Sequence, residues 1–275
     1  MNQALTKEEY DAFRGYLEQT SGILLGENKH YLVSSRLGRI LDEHQMANYG
    51  ELVRCLQTNR IPGIKDKVIN AMTTNETMWF RDVYPFELLK AEILPQYARQ
   101  QNKPLRIWSA ACSTGQEPYS LSMVVQEFLQ ANPGTFPQGV QIVATDISSR
   151  VLDYAREAIY DQAEISRGLE PARRDRFFTN KDNTWQLRPE IQSRVQFKLL
   201  NLQQSYASLG TFDVIFCRNV LIYFSSSLKS DILERMASQL SPNGYLMLGG
   251  SEAPNRYTGR FVMSRLPQGV VYRLG

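Results

Sequence analysis

Arg218 and Asn219 stand between two apolar runs in FDVIFCRNVLIYF, residues 212–224. The first run, FDVIFC, is a short β-forming stretch of the kind buried on both faces of a sheet. A surface turn carries Gly, Pro or Asp and has no apolar run behind it, so a charged residue placed here needs a partner. Three more polar sites follow similar runs. After LRIWSA comes ACSTGQEPYS, small residues that let a ligand approach the backbone, and then Glu117. After VQIVAT comes Asp146, an acid where open α/β sheets bind ribose hydroxyls. After VQFKLL come Asn201 and Leu202, an amide beside an apolar side chain, suited to the edge and face of an adenine. Taken singly, Glu117 and Asp146 read equally well as acids at helix N-termini. Four polar sites at the ends of four successive strand-like runs are harder to dismiss. They predict that Arg218 and Asn219 face a ligand at the mouth of a sheet.

Two further groups lie outside those runs. In TTNETMWFRD, residues 73–82, Asn75, Thr77 and Arg81 are interleaved with Met78, Trp79 and Phe80. The local pattern reads as a helix start, Thr74-x-x-Thr77, with Trp79 and Phe80 as core. In a segment joining two domains, the same polar set is placed to cover a ligand from above. Between Asn28 and His44, Lys29, Arg36 and Arg39 share one flank of an amphipathic helix, with no acid between residues 28 and 41. That flank is either a docking face or a solvated stripe.

Other chemistries are disfavoured. His30 and His44 are the only two histidines, which makes a His-dependent metal site or a Ser-His-Asp triad improbable. Cys55, Cys112 and Cys217 lie far apart with no CxxC pair, so neither a disulfide framework nor a zinc cluster is expected. The turn after LRIWSA is not GxGxxG and has no Walker lysine. A net charge of +3 is too small to argue for nucleic acid. MNQALTKEEYDAF has no apolar signal core, so a soluble cytoplasmic protein is expected.

The elements that must position these residues fall into two kinds. TKEEYDAFRGYLEQT opens with the capping box Thr6-x-x-Glu9, and Tyr10, Phe13 and Leu17 share one face. The helix of residues 28–44 and the segments MANYGELVRCLQ and IKDKVINAM continue the pattern, giving a helical domain over residues 1–85. A helix containing YPFELLKAEILPQYARQ is read as a linker over residues 86–103, ending at the polar break QQNKP. From residue 104 to 275, short β-forming runs alternate with helical segments, the grammar of a parallel sheet with crossover helices. FVMSRLPQGVVYRLG closes it as an antiparallel hairpin, which suits a class I methyltransferase better than a nicotinamide-binding fold. Residues 161–194 form an inserted piece in which RFFTNKDNTWQLR reads as a small β-hairpin.

TTNETMWFRD, WSAACSTGQEPYSLSM, ATDIS and FCRNVLIYF, in that order and spacing, resemble the CheR family of chemotaxis receptor methyltransferases. The resemblance implies a class I S-adenosylmethionine-dependent methyltransferase domain, α/β with a small inserted β-subdomain, preceded by a small all-α domain. It implies transfer of a methyl group from S-adenosylmethionine to glutamate side chains on the cytoplasmic helical bundle of transmembrane chemoreceptors. The product would be S-adenosylhomocysteine. Asn75, Thr77 and Arg81 match the family's interdomain cofactor motif. Glu117, Asp146, Asn201, Leu202, Arg218 and Asn219 match its remaining cofactor positions, and Tyr223 a tyrosine near the transferred methyl. Arg81 and Tyr223 are expected to orient the reactants, with no general base and no metal. Docking is assigned to Lys29, Arg36 and Arg39 of the helical domain. Some members carry a glycine-containing loop in the inserted hairpin that binds a tethering peptide at the receptor C-terminus. TNKDNTWQ has no glycine and is shorter, so tether-independent action by a monomer is expected.

Two other functions compete. A nucleic-acid methyltransferase would carry a Pro-Pro-aromatic motif after the fourth strand, where this chain has RNVLIYF, and a stronger basic field. A non-catalytic adaptor would bind S-adenosylmethionine without turnover, but every matched site residue is present.

Overall fold

The computed structural model describes residues 4–98 and 103–275. Four helices come first. α1 (Lys7–Ser21) begins at Thr6, whose hydroxyl accepts the Glu9 amide at 3.2 Å while the Glu9 carboxylate accepts the Thr6 amide at 3.1 Å. This is the reciprocal cap read from the sequence. α2 (His30–Glu43), α3 (Tyr49–Thr58) and α4 (Ile64–Met72) follow. Tyr10, Phe13 and Leu17 pack with Val33, Leu37 and Leu41 and with the apolar faces of α3 and α4, a core separate from that of the sheet.

Residues 73–82 are irregular; Thr74-x-x-Thr77 starts no helix. α5 (Tyr84–Leu88), a π-helical turn over Leu89–Ile93 and α6 (Leu94–Ala98) then make one helical run. The sequence reading made this the linker helix of residues 86–103. Phe86, Leu88, Leu89, Ile93 and Leu94 are instead part of the core beneath the sheet, and the Tyr97 hydroxyl donates to the Asn243 carbonyl at 3.1 Å. Burial on the sheet outweighs the run's place between two domains. Most of the expected break at residues 100–104 lies outside the described residues.

The sheet domain then winds β1 (Leu105–Ala110), α7 (Gln116–Ala131), β2 (Val140–Asp146) and α8 (Ser149–Glu157). The insertion follows as β3 (Ile159–Asp161), α9 (Gln162–Ser166), α10 (Pro171–Phe177), β4 (Phe178–Lys181), β5 (Thr184–Leu187) and α11 (Pro189–Gln192). The winding resumes with β6 (Val195–Leu199), β7 (Phe212–Cys217), α12 (Ser226–Gln239) and β8 (Leu240–Leu248). It closes with the hairpin β9 (Phe261–Leu266) and β10 (Gly269–Leu274). The order across the main sheet is β6-β2-β1-β7-β8-β10-β9, parallel as far as β8, with β10 antiparallel to both neighbours. All five strand-like runs and the terminal hairpin of the sequence reading are strands here.

Both faces of the central strands β1, β2 and β7 are covered, which is why those runs are mostly apolar, while the edge strand β6 is only half-buried and carries Gln196 and Lys198. Ile107, Ile142, Val214 and Phe216 point to the face packed by α7 and the 84–98 run. Trp108, Val143, Ile215 and Leu246 point to the face packed by α12. The winding reverses between β1 and β7, so their carboxyl ends splay and open a crevice.

In the insertion, Lys181 pairs with Thr184, so the turn is the two residues Asp182 and Asn183, with Asp182 at φ +58°. The hairpin expected there has a third strand, β3, on its other edge. Among the described residues no helix is long and apolar enough to cross a membrane.

Candidate active site at the carboxyl ends of the strands

A crevice of about 500 Å³ lies where the winding reverses, within the size range of small-molecule sites. The ends of β1, β2, β6 and β7 form its floor; residues 72–78, Arg81 and the α1–α2 connection cover it. It brings together Asn75, Thr77, Arg81, Glu117, Asp146, Asn201, Leu202, Arg218, Asn219 and Tyr223, with Lys29 at its edge. Arg36 and Arg39 are not among its lining residues.

The connection after β1 is built for close approach. Ala111 and Ser113 sit at φ +59° and +50°, and Gly115 at +95°. A Cβ on Gly115 would lie 3.0 Å from both Ala155 Cβ and the Tyr160 hydroxyl, so glycine is needed there for space as well as for φ. The turned backbone sends the Ser113 amide to Asp146 Oδ2 at 2.9 Å, and Asp146 Oδ1 accepts the Ser148 amide, also at 2.9 Å. Burial raises the Asp146 pKa, and the amides of Ser148, Ser113 and Ile147 oppose that shift. A carboxylate has about four acceptor sites, so the close bonds from Ser113 and Ser148 leave room for a ligand hydroxyl. Cys112, beside it, has its thiol pushed well up by burial and by the Asp146 and Glu117 carboxylates. It stays protonated at neutral pH and is no nucleophile.

Arg218 has a partner the sequence reading did not assign. Its side chain is 1% exposed; Nη1 donates to Glu117 Oε2 at 3.0 Å, and Nη2 to Asp82 Oδ2 and the Arg81 carbonyl, both at 2.7 Å. The other Glu117 oxygen accepts the Ser109 hydroxyl at 2.7 Å. Most of the Arg218 guanidinium therefore braces the crevice from within, tying the ends of β1 and β7 to the segment above them. Its charge is matched by carboxylates of the chain itself, because a cation this buried needs anionic neighbours. Arg218 Nε and Asn219 Oδ1 remain buried without partners among the described residues, a donor and an acceptor that a polar ligand can satisfy.

Glu252 is a residue supporting the crevice that the sequence reading missed. Its carboxylate, 8% exposed as a residue, accepts the amides of Asn219, Leu221 and Gly249, each at 2.8 Å. Those bonds fix the turn after β7, where Asn219 sits at φ +60°, and so set the position of Tyr223 one helical turn later. The signal was present in GGSE: the survey of strand ends stopped at the fourth run and not at the fifth, GYLMLGG.

Polar links hold the helical domain over the crevice. Asn201 Nδ2 donates to the Thr20 carbonyl at 2.8 Å and its Oδ1 accepts the Gln203 amide at 2.9 Å, so the amide assigned to an adenine edge is partly spent on α1 and partly on the turn after β6. The Leu24 amide donates to the Tyr223 carbonyl at 2.9 Å, and Ser148 Oγ to Asn70 Oδ1 at 2.7 Å. Arg36 donates to the carbonyls of Met72 and Thr73 at 2.7 and 3.2 Å, closing the C-terminus of α4. Of the three basic residues assigned to docking, Arg36 thus has an internal task. Arg39 pairs with Glu43 at 3.0 Å but is 89% exposed, and Lys29 is exposed.

The cover carries Arg81. Among the described residues its Nη1 donates only a long bond, 3.3 Å, to the Glu76 carbonyl, so the guanidinium retains free donors. Phe80, Asp82 and Val83 around it all have positive φ, +48°, +65° and +52°, a tight reversal that a β-branched valine adopts only under tertiary constraint.

These residues fit S-adenosylmethionine: a buried carboxylate at the end of β2, small residues at the end of β1, and unpartnered polar atoms at the end of β7. Asp146→Ala is expected to weaken S-adenosylhomocysteine binding by about 1–3 kcal/mol. Titration calorimetry on the folded variant checks this, and unchanged affinity removes Asp146 from the site.

Residues 8–73 match the family described as CheR methyltransferase, all-alpha domain, and residues 75–270 match CheR methyltransferase, SAM binding domain. The chain is 51% identical to chemotaxis protein methyltransferase 1 of Pseudomonas aeruginosa, over 96% of this chain and 97% of that one. It is 45% identical to chemotaxis protein methyltransferase 1 of Vibrio cholerae, over 98% of each. With the chemotaxis protein methyltransferase of Escherichia coli the identity is 34%, over 94% of this chain and 89% of that one. The helical domain and the doubly wound sheet that bound the crevice are therefore the all-α domain and the S-adenosylmethionine-binding domain of a methyltransferase, and the chain belongs to the CheR family.

Proposed function

We propose that the protein methylates glutamate side chains on the cytoplasmic helical bundle of transmembrane chemoreceptors, as a cytoplasmic monomer recruited to receptor arrays. The observation that carries this reading is the composition of the crevice. It holds a cation with free donors, Arg81, and a tyrosine, Tyr223, while neither His30 nor His44 lines it. A glutamate with a pKa of about 4.3 is ionised at neutral pH and needs no general base. Bound S-adenosylmethionine supplies a methyl group on a sulfonium sulfur that leaves as a neutral thioether. What the chain must do is align carboxylate, methyl and sulfur, which lowers a barrier by roughly 7–11 kcal/mol at best. Covering the crevice excludes water from a reaction in which opposite charges neutralise. A tight ion pair with the glutamate would blunt the nucleophile, so we assign Arg81 to cofactor positioning, and Tyr223 to orientation at the methyl. Asn75, Thr77, Glu117, Asp146, Asn201, Leu202, Arg218 and Asn219 are assigned to binding S-adenosylmethionine, directly or by shaping the crevice.

Labelled S-adenosylmethionine and receptor-containing membranes test the reaction, with one receptor truncated before its C-terminal tail. Label released as methanol by mild base, equally from intact and truncated receptor, is the expected result. Base-stable label rejects the ester. Release from the intact receptor alone rejects tether independence, which rests on the two-residue polar turn at Asp182 and Asn183.

Docking is now assigned to Lys29 and Arg39, since reversing Arg36 would also open the end of α4. Lys29→Glu with Arg39→Glu is expected to lower kcat/KM for receptor about tenfold. Folding should be unaffected, and the rate should depend less on salt. Wild-type kcat/KM in that variant would reject α2 as the docking face.

A further inference from the structure

The inserted three-stranded piece has no part in the chemistry above, yet it grips the segment that covers the crevice. In the turn between α9 and α10, the Arg167 carbonyl accepts the Trp79 amide at 3.1 Å, and Arg167 pairs with Glu76. Gly168 in that turn, at φ +89°, lies so close that an added Cβ would overlap the Trp79 carbonyl oxygen. The Trp79 ring is buried edge-on between Tyr160 of β3 and Phe178 of β4, at 4.9 and 5.3 Å between centroids. From α10, the Arg173 guanidinium covers the Phe80 ring at 4.1 Å and is itself held by Glu127 at 2.8 and 3.2 Å. The Tyr160 hydroxyl also donates to the Thr114 carbonyl at 2.8 Å, in the connection after β1.

We propose that the inserted subdomain is the clamp that sets Arg81, with Gly168 and Arg173 as positioning residues for methyl transfer. Residues 76–80 are held from one side by the subdomain, and residues 81–82 from the other by Arg218. Arg81 sits between the two grips, within a stretch in which the left-handed φ values of Phe80, Asp82 and Val83 persist only because both sides over-determine them. The proposal rests on the reading that Arg81 acts on the cofactor.

Gly168→Ala tests it against Gly134→Ala. Gly134 is also left-handed, at φ +81°, but nothing lies within 4 Å of its added Cβ. Both variants carry similar backbone strain, and only the first drives a methyl group into the segment bearing Arg81. Methyl transfer is measured per S-adenosylhomocysteine site titrated, so an unfolded fraction changes the number of sites and not the rate of each. Gly168→Ala is expected to lower kcat per site about tenfold or more, with receptor KM little changed, while Gly134→Ala behaves as wild type. A folded Gly168→Ala that no longer binds S-adenosylhomocysteine supports the proposal equally. Should Gly168→Ala fail to fold, Arg173→Met decides: it keeps apolar bulk near Phe80 but drops the Glu127 pair, and a several-fold fall in kcat per site is expected. Arg81→Ala is run alongside. If Arg81→Ala is inactive while the folded clamp variant turns over at the wild-type rate per site, the clamp is overturned and the reading of Arg81 stands. If Arg81→Ala is active, that reading falls and the clamp proposal with it.

Discussion

Arg81→Ala is expected to lower methyl transfer about a hundredfold or more while leaving both cores folded. The side chain lines the crevice, belongs to neither core, and makes a single long bond to the Glu76 carbonyl. Little stability is lost when it is removed. What is lost is a cation whose free donors face the space the reactants share, held over the floor by a backbone that Arg218 and the inserted subdomain fix. A group that positions a reactant loses rate steeply for small displacements, because alignment enters the barrier directly. The measurement is the rate of methyl-ester formation on receptor membranes, with unfolding in urea as the control. Activity within a few-fold of wild type would reduce Arg81 to a surface charge.

Arg218→Leu is expected to act in the opposite way, through stability first. Its guanidinium is 1% exposed and serves Glu117, itself 13% exposed, Asp82 and the Arg81 carbonyl at once. Removing the cation leaves a nearly buried carboxylate uncompensated, which costs about 3–5 kcal/mol when one partner of a buried pair is deleted. Adding Glu117→Gln takes away the stranded charge and should recover part of the loss, the non-additivity expected of groups in contact. Urea unfolding of the two single variants and the double variant reads both effects. A loss below about 1 kcal/mol for Arg218→Leu would mean that water enters the site and solvates these charges. Cofactor affinity should fall as well if Arg81 positions the cofactor as proposed, since Arg218 holds the Arg81 carbonyl.

The five parallel strands, their crossover helices, the terminal hairpin and the Thr6 cap were legible because each is a local pattern. Period-2 and period-3.6 burial, turn residues and caps leave their marks within a dozen residues. The residues that gather at the crevice were legible for a related reason: strand ends of a doubly wound sheet share one edge whatever the side chains elsewhere. Glu252 was legible by the same rule, had it been carried to the last parallel strand. The helical run of residues 84–98 was read as a helix correctly, but its membership of the sheet's core was not visible. Amphipathic spacing shows that a face is buried and not what buries it.

The sequence by itself therefore determined the class of fold, the family and most of the polar residues that line the crevice. The tertiary structure alone decided what each of them touches. Arg218 is braced by Glu117, 101 residues away in the chain, and by Asp82, 136 residues away. Asn201 turns part of its amide to Thr20, Arg36 closes α4, and Trp79 fits between two strands of an insertion that begins some eighty residues later. Contacts of that kind depend on where distant segments come to rest. A buried charge or amide must find some partner, but only the packed fold selects which one.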